Sequence, residues 1–286
     1  ARAGDCHRRA RAGDCHRRAC TGRGSRAHAL FSPSGQAGRA TRPRARRAPR
    51  AQTPSAARRG RQMERSVAGD GDLDLAVAND FLSTQKLLVN NGSGFFTDES
   101  ATRIPQFAMS SAHCSFGDVD DDGDLDLWFT RGGSSRFGSG QAQLWINDGA
   151  GFYTNETASR LPAQLVSEPM DCIFGDLDGD LDLDMLEGHR AGNSKLYRND
   201  GGIFVDITAG NLPGDSNTYS YDLGDLDGDG DLDVFGANSG VGSREAVFQN
   251  NGAGSFTNVT STVLPNSSNP NVDDNDSKFF DSDNDG

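Results

Sequence analysis

A nine-residue loop with aspartate at every second position is written three times in this 286-residue chain. The copies are Asp118-Val-Asp-Asp-Asp-Gly-Asp-Leu-Asp126, Asp176-Leu-Asp-Gly-Asp-Leu-Asp-Leu-Asp184 and Asp225-Leu-Asp-Gly-Asp-Gly-Asp-Leu-Asp233. So many carboxylates in so short a stretch repel one another unless a cation lies between them. Ca²⁺, a hard ion that takes about six to eight oxygens, suits such a set best. The recurrence constrains the fold as well, because a unit this small cannot bury its own faces and has to stack on its copies.

The loops start at 118, 176 and 225, and a truncated copy, Asp281-Ser-Asp-Asn-Asp-Gly286, follows. A degenerate copy lies upstream, where Asp70, Asp72 and Asp74 match the second half of the loop and Ser66 and Ala68 replace its first two carboxylates. A second signature follows each loop: Leu87-Leu-Val-Asn-Asn-Gly-Ser-Gly-Phe95, Leu144-Trp-Ile-Asn-Asp-Gly-Ala-Gly-Phe152, Leu196-Tyr-Arg-Asn-Asp-Gly-Gly-Ile-Phe204 and Val247-Phe-Gln-Asn-Asn-Gly-Ala-Gly-Ser-Phe256. Asn-Gly or Asp-Gly between apolar runs reads as a hairpin, since these residues tolerate positive φ. A Thr-containing stretch ending in Ile104-Pro105, Leu161-Pro162, Leu212-Pro213 or Leu264-Pro265 comes next, and the proline is expected to end a strand and close the unit.

One repeat therefore reads as four short strands. In the second unit these are Ala112–Gly117, Leu125–Thr130, Gln143–Asn147 and Phe152–Asn155. With no helical periodicity and a period near 50 residues, the expected fold is all-β: a β-propeller of four-stranded blades. It is expected to be incomplete, with about four blades and the start of a fifth, and the chain is read as a fragment of a longer protein. The units fall at about 63–106, 107–163, 164–214, 215–266 and a truncated 267–286.

Within each loop, side chains at positions 1, 3, 5 and 9 can converge on one ion while position 7 offers its backbone carbonyl. The expected Ca²⁺ ligands are Asp118, Asp120, Asp122 and Asp126 with the carbonyl of Asp124; Asp176, Asp178, Asp180 and Asp184 with that of Asp182; and Asp225, Asp227, Asp229 and Asp233 with that of Asp231. Asp281, Asp283 and Asp285 belong to the cut-off copy. Leu181 stands where the other loops have a turn glycine, so the third site is expected to be weaker or distorted. An EF-hand shares the first half of the pattern, and Glu187 falls at its twelfth position. The other two loops carry Phe129 and Gly236 there, and no amphipathic helices flank any loop.

Charge divides the chain. Residues 1–62 hold 17 of the 28 basic residues and two acids, a net of about +15, which leaves residues 63–286 at about −28. The first segment contains a direct duplication, Arg2–Ala10 and Arg11–Ala19, and too little apolar surface for a core, so it is expected to be disordered. It reads either as an arm for an anionic surface or as a non-native extension. The second is preferred, because Met63 lies just ahead of the first motif. Cys6, Cys15 and Cys20 with His7 and His16 mimic a metal site only through the duplication. Cys114 and Cys172 occupy equivalent positions, as buried thiols or as a disulfide between repeats. No nucleic-acid partner is expected for the acidic repeats. No apolar run approaches the ~20 residues of a membrane helix.

The pattern carried by Phe116-Gly117-Asp118 through Leu127, Phe174-Gly175-Asp176 through Leu183 and Leu223-Gly224-Asp225 through Val234, followed by the hairpin signature, resembles the VCBS/FG-GAP repeat family. That family includes the calcium-bearing propeller of integrin α subunits and the secreted cartilage acidic protein group. The resemblance covers nearly all of residues 66–286. It implies a typically seven-bladed propeller with loops facing one side, often extracellular or at the cell surface, used for adhesion or for recognising a protein or carbohydrate ligand. The Gly-Ala-Pro element is absent, which favours the VCBS branch.

Catalysis finds little support. The repeats hold two histidines, His113 and His189, and His113 cannot pair with Cys114 because strand neighbours point to opposite faces. The expected function is a non-catalytic calcium-binding propeller, with an accessory propeller of a secreted enzyme as the alternative. The sequons at Asn91, Asn155, Asn258, Asn266 and Asn275 fit an extracellular location.

Overall fold

Each described aspartate loop leads into a strand of a small antiparallel meander. The structure, a computed structural model, describes residues 66–67, 69–132, 139–163, 166–215, 217–238, 244–264 and 276–280. The first meander comprises β1 (Leu75–Val77), β2 (Lys86–Asn90) and β3 (Phe96–Asp98), followed by the single helical turn α1 (Ser100–Arg103). The second runs β4 (Cys114–Gly117), β5 (Asp126–Phe129), β6 (Ser139–Gly140), β7 (Gln143–Asn147), β8 (Tyr153–Asn155) and α2 (Thr157–Arg160). The third has β9 (Val166–Ser167), β10 (Pro169–Gly175), β11 (Asp184–His189), β12 (Lys195–Asn199), β13 (Phe204–Asp206) and α3 (Thr208–Asn211). The fourth has β14 (Thr218–Gly224), β15 (Asp233–Asn238), β16 (Ala246–Asn250), β17 (Phe256–Asn258) and α4 (Thr260–Val263).

The sheets are ordered β4-β5-β7-β8, β10-β11-β12-β13 and β14-β15-β16-β17, each a four-stranded propeller blade. Among the described residues the first sheet has three strands, β1-β2-β3. The small pair β6–β9 ties the second blade to the connection into the third.

Apolar cores lie between the blades. Leu87, Val89 and Met109 of the first blade meet Leu127, Phe129 and Trp145 of the second. On the opposite face of β5, Trp128 meets Met185, Tyr197 and Phe204 of the third, with the Phe204 ring centroid 5.2 Å away, edge-on. Leu186 and Leu196 then meet Val234 and Phe248 of the fourth. Both faces of the middle strands are covered, so β7 is buried at all five positions, and Leu144-Trp-Ile146 at its centre is an apolar run rather than an alternation. Truncating Trp128 or Trp145 to alanine would cost about 3–5 kcal/mol.

The Phe-Gly-Asp signature has a packing cause. A Cβ on Gly117 would lie 2.8 Å from the Phe174 ring, one on Gly175 2.6 Å from Leu223, and one on Gly224 3.0 Å from Phe279. The bulky residue of each lead-in segment sits on the glycine of the blade before. Residues 276–280 lie against the fourth blade in this way, with the Phe279 ring 5.8 Å from Phe235 and the Phe279 N–H donating to Asp222. They form the opening of a fifth unit.

The stretch before each Ile-Pro or Leu-Pro is a short turn rather than strand. It is one turn of helix in the first, second and fourth units, and in the third a turn broken at Ala209 and Gly210, where the backbone leaves helical angles. The hydroxyls of Ser100, Thr157, Thr208 and Thr260 accept the strand N–H groups of Leu87, Leu144, Leu196 and Val247 at 2.9 Å. A side chain thus replaces a backbone ladder partner, and the chain turns away after three strand residues.

Candidate metal centre

The loops are folded by their own carboxylates. In the fourth loop, Asp225 accepts the N–H groups of Gly228 at 2.8 Å and Gly230 at 3.1 Å. Asp227 then accepts from Asp229, and Asp229 from Asp231. In the third loop, Asp176 accepts from Gly179, Asp178 from Asp180 and Asp180 from Asp182. Such a curl needs two left-handed residues. Position 6 holds Gly71 (φ +86), Gly123 (φ +102), Leu181 (φ +82) and Gly230 (φ +98). Position 4 holds Gly69 (φ +70), Asp121 (φ +59), Gly179 (φ +83) and Gly228 (φ +80). The sequence reading noted only position 6; glycine at position 4 in three of the four copies was the available signal.

Alternate spacing then turns side chains to one side. Carboxylate oxygens of Asp118, Asp120 and Asp122 lie within 4.8 Å of one another, as do those of Asp225, Asp227 and Asp229. The third loop brings together a different set within the same limit, Asp176, Asp178 and Asp184. Asp120 Oδ1 is buried with no hydrogen-bond partner, a lone pair left for a cation. An all-oxygen donor set that includes a buried, unpartnered carboxylate oxygen fits Ca²⁺.

Position 9 has a second role. Asp126 Oδ2 accepts the N–H of Val119 at 3.1 Å and Oδ1 that of Asn147 at 2.9 Å. Asp184 is held likewise by Leu177 and Asn199, Asp233 by Leu226 and Asn250, and Asp74 by Val67 and Asn90. These carboxyls close the loop onto the hairpin of the same blade. Burial pushes Asp126 and Asp184 up to about 7 against the opposing effect of the two N–H bonds. Asp233 is also raised, again chiefly by burial. The position-7 side chains turn from the cluster toward the hairpin, where Asp182 accepts the N–H of Gly201 at 3.0 Å.

The hairpin asparagine was read in the sequence only as a turn residue, and the structure gives it more to do. Asn147 Oδ1 accepts the N–H groups of Gly149 and Gly151. Its Nδ2 donates to the Leu125 carbonyl and to that of Val67 in the preceding blade. Asn250 makes the equivalent bonds to Leu232 and Leu177, and Asn199 reaches Val119. The first loop is closed without its first carboxylate, because Ser66 Oγ accepts the N–H groups of Asp70 at 2.7 Å and Gly71 at 3.0 Å.

Glu187 is fully buried on β11, with neither carboxylate oxygen hydrogen-bonded and Oε2 3.8 Å from His189 Nε2. It is a strand residue, and the loop before it joins two strands rather than two helices, so the EF-hand alternative is set aside. Cys114 and Cys172 are free thiols, Cys172 buried and Cys114 partly so. His113 Nδ1 approaches Cys172 Sγ at 3.5 Å and Asp171 Oδ1 at 3.2 Å, across the blade boundary. Burial raises the Cys172 thiol well above its ordinary value and Cys114 to about 11, which disfavours nucleophilic chemistry. The cut-off loop with Asp281, Asp283 and Asp285, the basic segment with its cysteines, and the sequons at Asn266 and Asn275 lie outside the described residues. Among the described residues no helix is long and apolar enough to cross a membrane.

A family model described as an FG-GAP-like repeat matches residues 67–129, 188–236 and 225–286. No curated protein matches the chain. Among solved structures it is similar to an Agrocybe aegerita lectin described by its specific recognition of non-reducing terminal N-acetylglucosamine. That likeness has 20% identity and a TM-score of 0.44, covering 68% of this chain and 49% of the lectin. The chain thus spans about half the length of that protein.

Proposed function

The chain belongs to the FG-GAP-like repeat family, and from that premise we propose that it is a non-catalytic, calcium-binding propeller module that recognises a protein or carbohydrate ligand outside the cell or at its surface. One observation carries the calcium half: each of three successive loops gathers three aspartate carboxylates within 4.8 Å. Asp118, Asp120 and Asp122 would hold the ion of the second loop, Asp176, Asp178 and Asp184 that of the third, and Asp225, Asp227 and Asp229 that of the fourth. The carbonyls of Asp124, Asp182 and Asp231 remain the expected seventh-position ligands. Bound calcium would neutralise the loops and rigidify the blade edges. Extracellular calcium modules bind at roughly 10⁻⁴–10⁻³ M, which suits a compartment where calcium is millimolar. Family membership supports the recognition half.

Thermal unfolding of the full chain tests the reading. Calcium at 10 mM should raise Tm over the same protein in chelator, by the mass action of a ligand that binds only the folded state. Asp122→Ala and Asp229→Ala should each remove one bound ion in a calcium titration, whereas Asp72→Ala should remove none. An unchanged Tm in calcium, or an equal rise with Mg²⁺, would overturn the assignment.

A further inference from the structure

Among the described residues, the second loop differs from the other described loops by pairing an aspartate of its row with an arginine. Arg160, the last residue of α2, donates from Nη2 to Asp120 Oδ2 at 3.0 Å, from Nε to Glu156 at 2.6 Å and from Nη1 to the Gly202 carbonyl of the third blade at 3.2 Å. Arg160 and Asp120 side chains are each only 17% exposed. Gly202 makes the approach possible. It has φ +88, and a Cβ there would overlap Arg160 Nη1 and lie 2.9 Å from Asp120 Cβ. The third hairpin is also one residue shorter than the others, its Asp200 N–H bonding to Ile203 where Asp148 bonds to Phe152.

The equivalent residues in the other blades cannot do this. Arg103 donates to the next blade's Ala150 carbonyl at 2.6 Å, but position 3 of its loop is Ala68. Asn211 donates back to Ile207 in its own turn, and Val263 has no polar group. In the fourth loop Asp227 accepts the N–H of Asp229, and its side-chain partner among the described residues is the neutral amide of Gln249.

We propose that Arg160 is a built-in counter-cation of the second loop, seating the third blade on Asp120 in calcium-free protein and weakening that loop for divalent ions, so that the fourth loop fills first. Arginine stays protonated at any working pH, so the charge is permanent. It satisfies one oxygen of Asp120 and leaves Oδ1 unpartnered for an ion. The incoming ion then meets a site already partly neutralised and a like charge beside it, which for partly exposed groups amounts to about a fivefold to tenfold loss of affinity. The affinity half rests on the calcium reading above; the blade-seating half does not.

Two measurements on the full chain decide it. The first is a double-mutant cycle of Arg160→Met and Asp120→Asn, read by urea unfolding in chelator. Coupling between the two sites upholds the counter-cation, and additive effects overturn it. The second is a calcium titration with the third and fourth loops silenced by Asp176→Ala and Asp225→Ala. There Arg160→Met should tighten the remaining site about fivefold to tenfold. Unchanged or weaker binding overturns the affinity half. If wild-type protein binds no calcium, the calcium reading and the affinity half fall together, while a coupled cycle still upholds the seating role.

Discussion

Asn147 Nδ2 donates to the backbone carbonyl of Val67 at 3.1 Å, joining residues 80 apart in sequence and two successive blades. The same residue closes its own hairpin through Oδ1 and, through its backbone N–H, holds Asp126. One amide therefore links the hairpin, the aspartate loop of its blade and the loop of the blade before.

Removing it should cost more than the hairpin alone is worth. Asn147→Ala leaves buried carbonyls of Val67 and Leu125 without that donor and should destabilise the chain by about 2–4 kcal/mol in urea unfolding. Asn90, whose exposed Nδ2 donates to Leu73 of its own blade and whose Oδ1 accepts from Gly92 and Gly94, should cost about 1 kcal/mol when changed to alanine. Equal losses at the two sites would show that the inter-blade bond contributes nothing.

Leu181 should be improvable. It sits at φ +82, where the matching residues of the other three loops are glycines, and its side chain is 57% exposed, so little packing is lost with it. Leu181→Gly removes left-handed strain at some cost in chain entropy and should stabilise by about 0.5–1 kcal/mol. Gly123→Leu should reverse the sign. A drop in Tm for Leu181→Gly would mean that the leucine makes a contact worth more than the strain.

Gly117→Ala should destabilise by about 1–3 kcal/mol by forcing its methyl against the Phe174 ring. Combining it with Phe174→Leu should recover part of the loss, since the close contact is with the ring itself. Additive behaviour in that pair would place the strain elsewhere.

Calcium-free protein should lose stability as pH rises from about 4 to about 7. Burial raises Asp126 and Asp184 to about 7 in the folded chain, above the unfolded value near 3.9. Their contribution is therefore complete below the unfolded value and is lost as pH climbs through the folded one. Tm measured in chelator should show this fall, and Asp126→Asn should reduce it. Saturating calcium, which favours the ionised carboxylates, should flatten the profile and release protons on binding near pH 7. A chelated protein whose Tm rises over that range would contradict the assignment.

Much of the architecture is legible without coordinates because its signals are short-range. The Asn-Gly turns, the carboxylate-to-N–H bonds inside Asp225–Asp233 and the left-handed position 6 all act within a few residues, so composition and spacing expose them. Glycine at position 4 was equally local, yet Asp121 broke the pattern in the second copy. Helical turns such as Thr157–Arg160 escaped notice because each is four residues long, too short for any periodicity to register.

The chain's sequence by itself determined the repeat, the blade and the row of oxygen donors, since a carboxylate at every second position of a curled loop turns to one side wherever that loop is placed. Only the tertiary structure decided what each donor does. The hairpin of the same blade makes Asp126 a buried latch, the end of α2 supplies Asp120 with a guanidinium, and the next blade brings Gly202 over that pair. The physical reason is separation along the chain: these groups come from segments up to 82 residues apart, as Asp120 and Gly202 are, and stacking the blades is what brings them together.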